Sequence, residues 1–296
     1  MVDFIRLFYR DKDKFEHFVC QQENFEEVDT IFGLHTGEIK YPYRTSFNGI
    51  EVKVTSKHGY VYNSIHKAYN DRFSQEAHNH DDFGYCKLCY MVDYISSKLI
   101  DVDKVNLTQF EFGFNIETPV SAQQIIRNNV LMHKQNGANH NRVFNGKGEL
   151  KQFDYHNFVI KIYDKARQYG LPRNILRFEI RFLKAKEFQK YGIYKITDLK
   201  DKQKLRKLFV NLKQRFDEMT IVDSYDESII PEKDLCKLIR YNNSSYWERV
   251  ISKKSNQTKM RHIRAYQELL NKYNLLQVKS FLKGLLQKKY LQLINF

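Results

Sequence analysis

The sequence predicts an α+β fold, an antiparallel sheet with helices packed against it, followed by a basic helical region. Three observations lead there. Three segments between residues 107 and 182 alternate apolar and polar side chains with period two, the pattern of strands whose two faces meet different surroundings. Segments with apolar residues at helical spacing lie between and before them. From about Lys200 the periodicity turns helical and the charge turns strongly basic, so residues 1–200 and 201–296 are expected to be separate regions.

Residues 1–63 read as short strands with turns. IEVKVTSKHGYVYNSIHKAYN (50–70) alternates apolar and polar residues around Gly59, which predicts a hairpin. RFSQEAHNHDDFG (72–84) is polar and loop-like, whereas CKLCYMVDYISSKLI (86–100) spaces Leu88, Met91, Val92, Ile95 and Leu99 as a helix does. In LTQFEFGFNI (107–116), Phe110, Phe112, Phe114 and Ile116 share one face, and Glu111, Gly113 and Asn115 the other. FVIKIYDK (158–165) sets Phe158, Ile160 and Ile162 against Lys161, Tyr163 and Lys165. ILRFEIRF (175–182) sets Leu176, Phe178, Ile180 and Phe182 against Arg177, Glu179 and Arg181. Such alternation predicts one face on a core and one face free. Pro119 and Ser121 mark a helix start between the first two strands, and residues 136–157 read as loop-rich. In the last third, VKSFLKGLLQKKYLQLI carries an apolar stripe of Val278, Phe281, Leu282, Leu285 and Leu286, which must bury against something.

A content of 42% hydrophobic and 15% aromatic residues excludes a disordered chain. The net charge is +14, and a polyanionic partner accounts for it, with nucleic acid first and an anionic membrane surface second. The charge divides as +4 over residues 1–200 and +10 over residues 201–296. After Glu248 a single acid, Glu268, faces eleven Lys and Arg, so Lys253, Lys254, Lys259, Arg261 and Arg264 are the candidate nucleic-acid contacts of this arm. Four cysteines make no disulfide framework for a chain of this size. The charged N-terminus is unlike a secretory signal, no stretch approaches a membrane span, and a cytoplasmic protein is expected.

Placed side by side, the three alternating strands present Glu111, Lys161, Tyr163, Lys165, Arg177, Glu179 and Arg181 on one sheet face. Carboxylates can hold a divalent cation that polarises a phosphate, and a Tyr hydroxyl can attack it. The ordinary Tyr pKa is about 10, so a neighbouring cation such as Lys165 would be needed to favour the phenolate. Arg177 and Arg181 would hold phosphate oxygens. The alternative is an ordinary salt-bridged strand surface. His78, His80, Cys86 and Cys89 offer enough donors for zinc, but at no standard spacing, and the two cysteines read equally as small helix residues. Trp247 reads as core, and no Gly-rich phosphate loop is present.

The series FEFGFNI, KIYDKARQYGLP and LRFEIRF, preceded by NSIHKAYN and NHDDF, resembles the replication initiators of filamentous phages and related phage and plasmid Rep proteins. The likeness covers roughly residues 50–200. It implies a Rep-nuclease-like fold and a rolling-circle initiator that nicks one DNA strand at an origin by metal-dependent tyrosine transesterification. Residues 1–200 would then be the catalytic nicking domain, and residues 201–296 the DNA-binding or accessory region. The resemblance makes Tyr163 the nucleophile, Lys165 its neighbour, Glu111 and Glu179 metal ligands, and Mg2+ or Mn2+ the cofactor. It makes origin DNA the partner, with a host helicase as a candidate further partner. Relatives often carry a His-apolar-His metal motif. His78-Asn79-His80 departs from it, and His66, in the strand-like NSIHK segment, is the candidate imidazole ligand, a packed or solvated histidine being the alternative. The rival function is a non-enzymatic origin- or operator-binding protein.

Overall fold

The computed structural model describes residues 1–143 and 147–295. The alternating segments form strands, and all join one antiparallel sheet. The strands are β1 (Val2–Tyr9), β2 (Asp29–Phe32), β3 (Ile39–Phe47), β4 (Ile50–Val54), β5 (Gly59–Ser64), β6 (Asn106–Glu117), β7 (Val130–His133), β8 (His140–Val143), β9 (Glu149–Asp154), β10 (Phe158–Asp164), β11 (Ile175–Phe182) and β12 (Met219–Ile221). Ten of them are ordered β2-β3-β4-β5-β1-β6-β11-β10-β9-β8, and β12 pairs with β7 apart from the rest. The centre of the sheet is the β1–β6 pair, which joins strands drawn from residues 2–64 to strands drawn from residues 106–182.

The helices are α1 (Lys12–Val19), α2 (Ile65–Ser74), α3 (Tyr85–Lys98), α4 (Ala122–Gln124), α5 (Lys165–Tyr169), α6 (Lys186–Gln189), α7 (Lys202–Asp217), α8 (Glu232–Asn242), α9 (Ser244–Arg249), α10 (Asn256–Lys272) and α11 (Gln277–Asn295). A large antiparallel sheet packed against helices is therefore the architecture, as the alternation predicts.

Three local expectations are corrected. The hairpin ends at Ser64, not Asn70, because the Ser64 side chain accepts a hydrogen bond from the Lys67 N–H and starts α2. Residues 136–157 are not simply a loop, since they include β8 and β9. The polar face of the central strands is not free: Glu111, Asn115, Arg177 and Glu179 are all buried. Period-two alternation distinguishes two environments but does not say that one of them is water.

The apolar face carries the main core. Phe110, Phe112, Phe114, Phe178 and Ile180 are fully buried there, together with Leu208, Leu212 and Phe216 of α7 and Leu282, Leu286 and Leu293 of α11. Tyr290 stacks on Phe209 at 3.9 Å and meets Phe114 edge-on at 6.2 Å. The stripe on α11 thus buries against β6 and α7, with Val278 and Leu285 partly buried and Phe281 exposed. A second, smaller core gathers Leu238, Tyr241, Trp247, Tyr266, Leu269 and Leu270 from α8, α9 and α10 around Met132 of β7. Trp247 belongs to it, donating its indole N–H to the Tyr241 carbonyl at 2.7 Å. The chain after residue 200 is accordingly shared between the sheet's own core and this second one. No helix is long and apolar enough to cross a membrane among the described residues.

Because α11 closes the sheet's apolar face, Leu286→Ala should destabilise the whole molecule by about 2–5 kcal/mol. Urea unfolding followed by circular dichroism tests this. A cost below about 0.5 kcal/mol would show that α11 is an independent appendage.

Candidate active site

The sheet's polar face is organised by Arg177, which is 3% exposed. Its Nη2 donates to Asp3 Oδ2 at 3.0 Å, its Nη1 to Asn115 Oδ1 at 3.0 Å, and its Nε to Glu179 Oε2. One side chain thereby ties β1, β6 and β11 together. Each partner reaches the site through its strand register. Arg177 stands opposite Asn115, and Glu179 opposite Gly113. A Cβ on Gly113 would lie 2.4 Å from the Glu179 Cβ and 2.5 Å from the Phe178 carbonyl oxygen, so only glycine leaves Glu179 its place.

Asp3 arrives by a different route. Val2 pairs with Phe112 and Ile5 with Phe110, a register shift between the two. Such a bulge re-aims side chains, and here Asp3 lies within the polar cluster although Val2 and Ile5 both point into the core. The Ser64 hydroxyl and the Asn79 amide donate to the Asp3 carboxylate.

Asp3, Glu111 and Glu179 each offer one carboxylate oxygen, and these three atoms lie within 4.8 Å of one another. Lys161 Nζ bridges two of them, at 3.2 Å from Glu111 Oε1 and 3.2 Å from Glu179 Oε1. Arg181 Nη1 lies 3.7 Å from Glu111 Oε1, and its guanidinium covers the Phe4 ring at 4.6 Å. Burial, then the Glu179 charge, pushes the Glu111 carboxyl above the usual carboxylate range. Burial opposes ionisation of Glu179 too, but Arg177 and Lys161 outweigh it and hold that carboxyl low.

Tyr163 is 3% exposed, and its hydroxyl donates to Glu179 Oε2 at 3.5 Å. Burial, then the Glu179 charge, raises its pKa well above 10. A standing phenolate is thus disfavoured, and the partner of the hydroxyl is a carboxylate. Lys165 is not on the strand with Tyr163. It is the first residue of α5, which Asp164 caps by accepting from the Arg167 N–H. Lys165 Nζ donates to Asn79 Oδ1 at 2.6 Å, and Tyr169 donates its hydroxyl to the same oxygen at 2.6 Å. Burial, with Arg177 adding, brings the Lys165 ammonium down to about 7.

Several sequence-derived assignments change. Arg177 is not on an open face: it is buried, and three of its N–H groups are bonded to Asp3, Asn115 and Glu179. His66 lies on α2 and not on a strand. It is stacked on Phe83 at 4.7 Å, with Nε2 2.7 Å from Asp81 Oδ1, and it is outside the acidic group. His78 and His80 stack on each other at 4.0 Å, while Cys86 and Cys89 lie on α3. Among the described residues these four form no metal-binding group. Glu111, Glu179 and Tyr163 are brought together with Lys161. Asp3 and Asn79 are additions, the first hidden by the bulge and the second by its position in a polar loop.

Lys253, Lys254, Arg261 and Arg264 are exposed, and Lys259 is half-buried. The second core presents them on α10 and the turn before it. Beside Tyr163's cluster, the same sheet face opens into a groove lined by Phe4, Arg6, Lys53, Tyr60, Tyr62 and Arg181. The Arg6 guanidinium lies over Tyr60 at 5.4 Å.

No family model matches the chain, and no curated protein matches it. A solved structure described as that of the rolling-circle replication initiator protein from Geobacillus stearothermophilus is similar over 67% of this chain and 78% of that one. Its TM-score is 0.38 and its sequence identity 12%.

The place of Arg177 can be tested by stability. Arg177→Met leaves Asp3 and Glu179 buried without their shared cation and should cost about 3–5 kcal/mol in urea unfolding. Arg173→Met, at the exposed Arg173–Glu117 pair, should cost no more than about 1 kcal/mol. Equal costs would deny Arg177 its organising place.

A further prediction concerns pH. Burial lowers the His66 pKa to about 4, below an unfolded value of about 6.5. The unfolded chain therefore takes up this proton first as pH falls. The contribution of His66 to stability is complete above pH 6.5 and is lost progressively down to about 4, by roughly 3 kcal/mol at 1.36 kcal/mol per unit. His66→Gln should flatten the unfolding free energy between pH 6.5 and 4. An unchanged slope would place the titration elsewhere.

Proposed function

We propose that the protein nicks one strand of DNA at an origin, with Tyr163 as nucleophile, and so initiates rolling-circle replication of a mobile element. The observation that carries this reading is the meeting of Tyr163 with three carboxylates on one sheet face, beside a basic and aromatic groove. The resemblance of FEFGFNI, KIYDKARQYGLP and LRFEIRF to phage and plasmid Rep proteins supplies the substrate and the outcome.

The donor set suits a hard divalent cation, Mg2+ or Mn2+, since it is all carboxylate oxygen and its three atoms are gathered within 4.8 Å of one another. Asp3, Glu111 and Glu179 would hold it. When bound, the ion would polarise the scissile phosphate and offset charge on it.

The Tyr163 hydroxyl attacks phosphorus, and its proton passes to Glu179. A tyrosyl O–P bond forms as the P–O3′ bond breaks. The strand ends as a 5′-phosphotyrosyl adduct and a free 3′ hydroxyl, which takes up one proton. Lys165, with its ammonium near 7, is a proton donor within the site. Because Tyr163 is buried, the polar cluster must open for the strand to enter. Arg6, Lys53 and Arg181 line the groove beside it and supply positive charge for the backbone, and Tyr60 and Tyr62 supply faces on which bases stack. The exposed cations of α10 add sequence-independent affinity.

A second reading is a non-enzymatic origin- or operator-binding protein. The low exposure of Tyr163 and the mutual pairing of the buried charges favour it, since a polar core that only fixes strand register would look the same.

Incubation with Mn2+ and a single-stranded oligonucleotide carrying the element's origin should give a covalent protein–DNA adduct at Tyr163. Tyr163→Phe should keep its melting curve and lose the adduct. An adduct mapped by mass spectrometry to another tyrosine would sink the assignment of Tyr163, and no adduct with the wild type would favour the second reading. Replacing Lys253, Lys254, Arg261 and Arg264 by Ala should lower the salt slope of log K on duplex DNA by about 0.9 for each phosphate that is no longer neutralised. An unchanged slope would move the footprint off α10.

A further inference from the structure

We infer that Lys161 is a built-in counter-cation of the acidic cluster, occupying the place of a divalent ion and giving it up when that ion binds. This rests on the reading that Asp3, Glu111 and Glu179 take a metal, and it adds a competitor to that site.

Glu111 and Glu179 project from neighbouring strands onto the same face, where burial makes their mutual repulsion costly. Lys161 stands opposite Glu179 in the β10–β11 register and reaches past it to Glu111, so its ammonium touches both carboxylates at 3.2 Å. An ammonium placed between the two carboxylates that would ligate a metal competes with it for their charge and for the space between them.

The three cations of the cluster differ in how easily they could leave. Arg177 is buried with a partner on each of three strands, and its departure would unpair all of them. Arg181 touches Glu111 only at 3.7 Å and rests on Phe4. Lys161 is a compact charge on a flexible four-carbon stem, its side chain is 16% exposed, and its ion pairs are the two carboxylates in question. It can swing outward without breaking a third ion pair. Metal affinity is then the difference between the carboxylates with the metal and the carboxylates with Lys161, and removing the ammonium should raise it.

The test uses the full chain and Mn2+ alone, with binding followed by the electron paramagnetic resonance signal of the free ion. Lys161→Met removes the charge, Lys161→Gln removes it while keeping a hydrogen-bond donor, and Glu111→Gln removes a ligand. Circular dichroism confirms that each is folded. Both Lys161 variants should bind Mn2+ roughly tenfold or more tightly than the wild type, and Glu111→Gln should bind more weakly. Lys161 variants that bind no more tightly than the wild type, with Glu111→Gln weakened, would overturn the counter-cation role and leave the metal site standing. No Mn2+ binding by the wild type or by either Lys161 variant would overturn both. A variant that does not fold drops out, and the other decides.

Discussion

The buried guanidinium of Arg177 is the interaction on which the polar half of this protein depends. A charge withdrawn from water must be paired and hydrogen-bonded, and Arg177 finds Asp3, Asn115 and Glu179 on three adjacent strands. Those strands lie at the seam between the two halves of the sheet. Satisfying this one residue therefore fixes the position of β1 against β6 and β11 on the polar side, as the phenylalanines do on the other. It also fixes where the Glu179 carboxylate sits, and from Glu179 follow the contacts of Tyr163 and Lys161.

The two faces of the sheet divide the work. The apolar face is closed by α7 and α11, whose stripes are long enough to cover β6 and β11, and it supplies the burial that holds the sheet. The polar face is closed at one end by the segment around Asn79 and by α5, and it opens at the other into the groove by Tyr60 and Tyr62. Lys289 of α11 reaches Asp82 at 3.1 Å, so the helix that seals the core also anchors the loop that covers the site. The smaller core of α8, α9 and α10 uses its apolar residues to carry a row of exposed cations.

Much of the site was legible in the sequence because a strand's side chains alternate without exception unless its register breaks. Glu111, Tyr163 and Glu179 could be placed on polar faces by period alone, and their meeting required only that the strands be neighbours. Asp3 escaped because a bulge, which leaves little trace in composition, turns it onto that face. Asn79 escaped because a polar residue in a polar loop has no periodicity to betray it. Arg177 was placed on the right face, but its burial and its pairing with Asp3, Asn115 and Glu179 were not legible, since they depend on which strands are neighbours.

The sequence by itself determined the α+β class, the three central strands and their faces, the helical character of the last third and its excess of positive charge. These are local properties, set by side-chain period and composition. Only the tertiary structure decided that the polar face is covered, that Asp3 completes an acidic group, that His66 serves Asp81, and that α11 belongs to the sheet's core. Each of these depends on residues far apart in the chain meeting at a particular register, and period and composition carry no information about which distant surface a face will bury against.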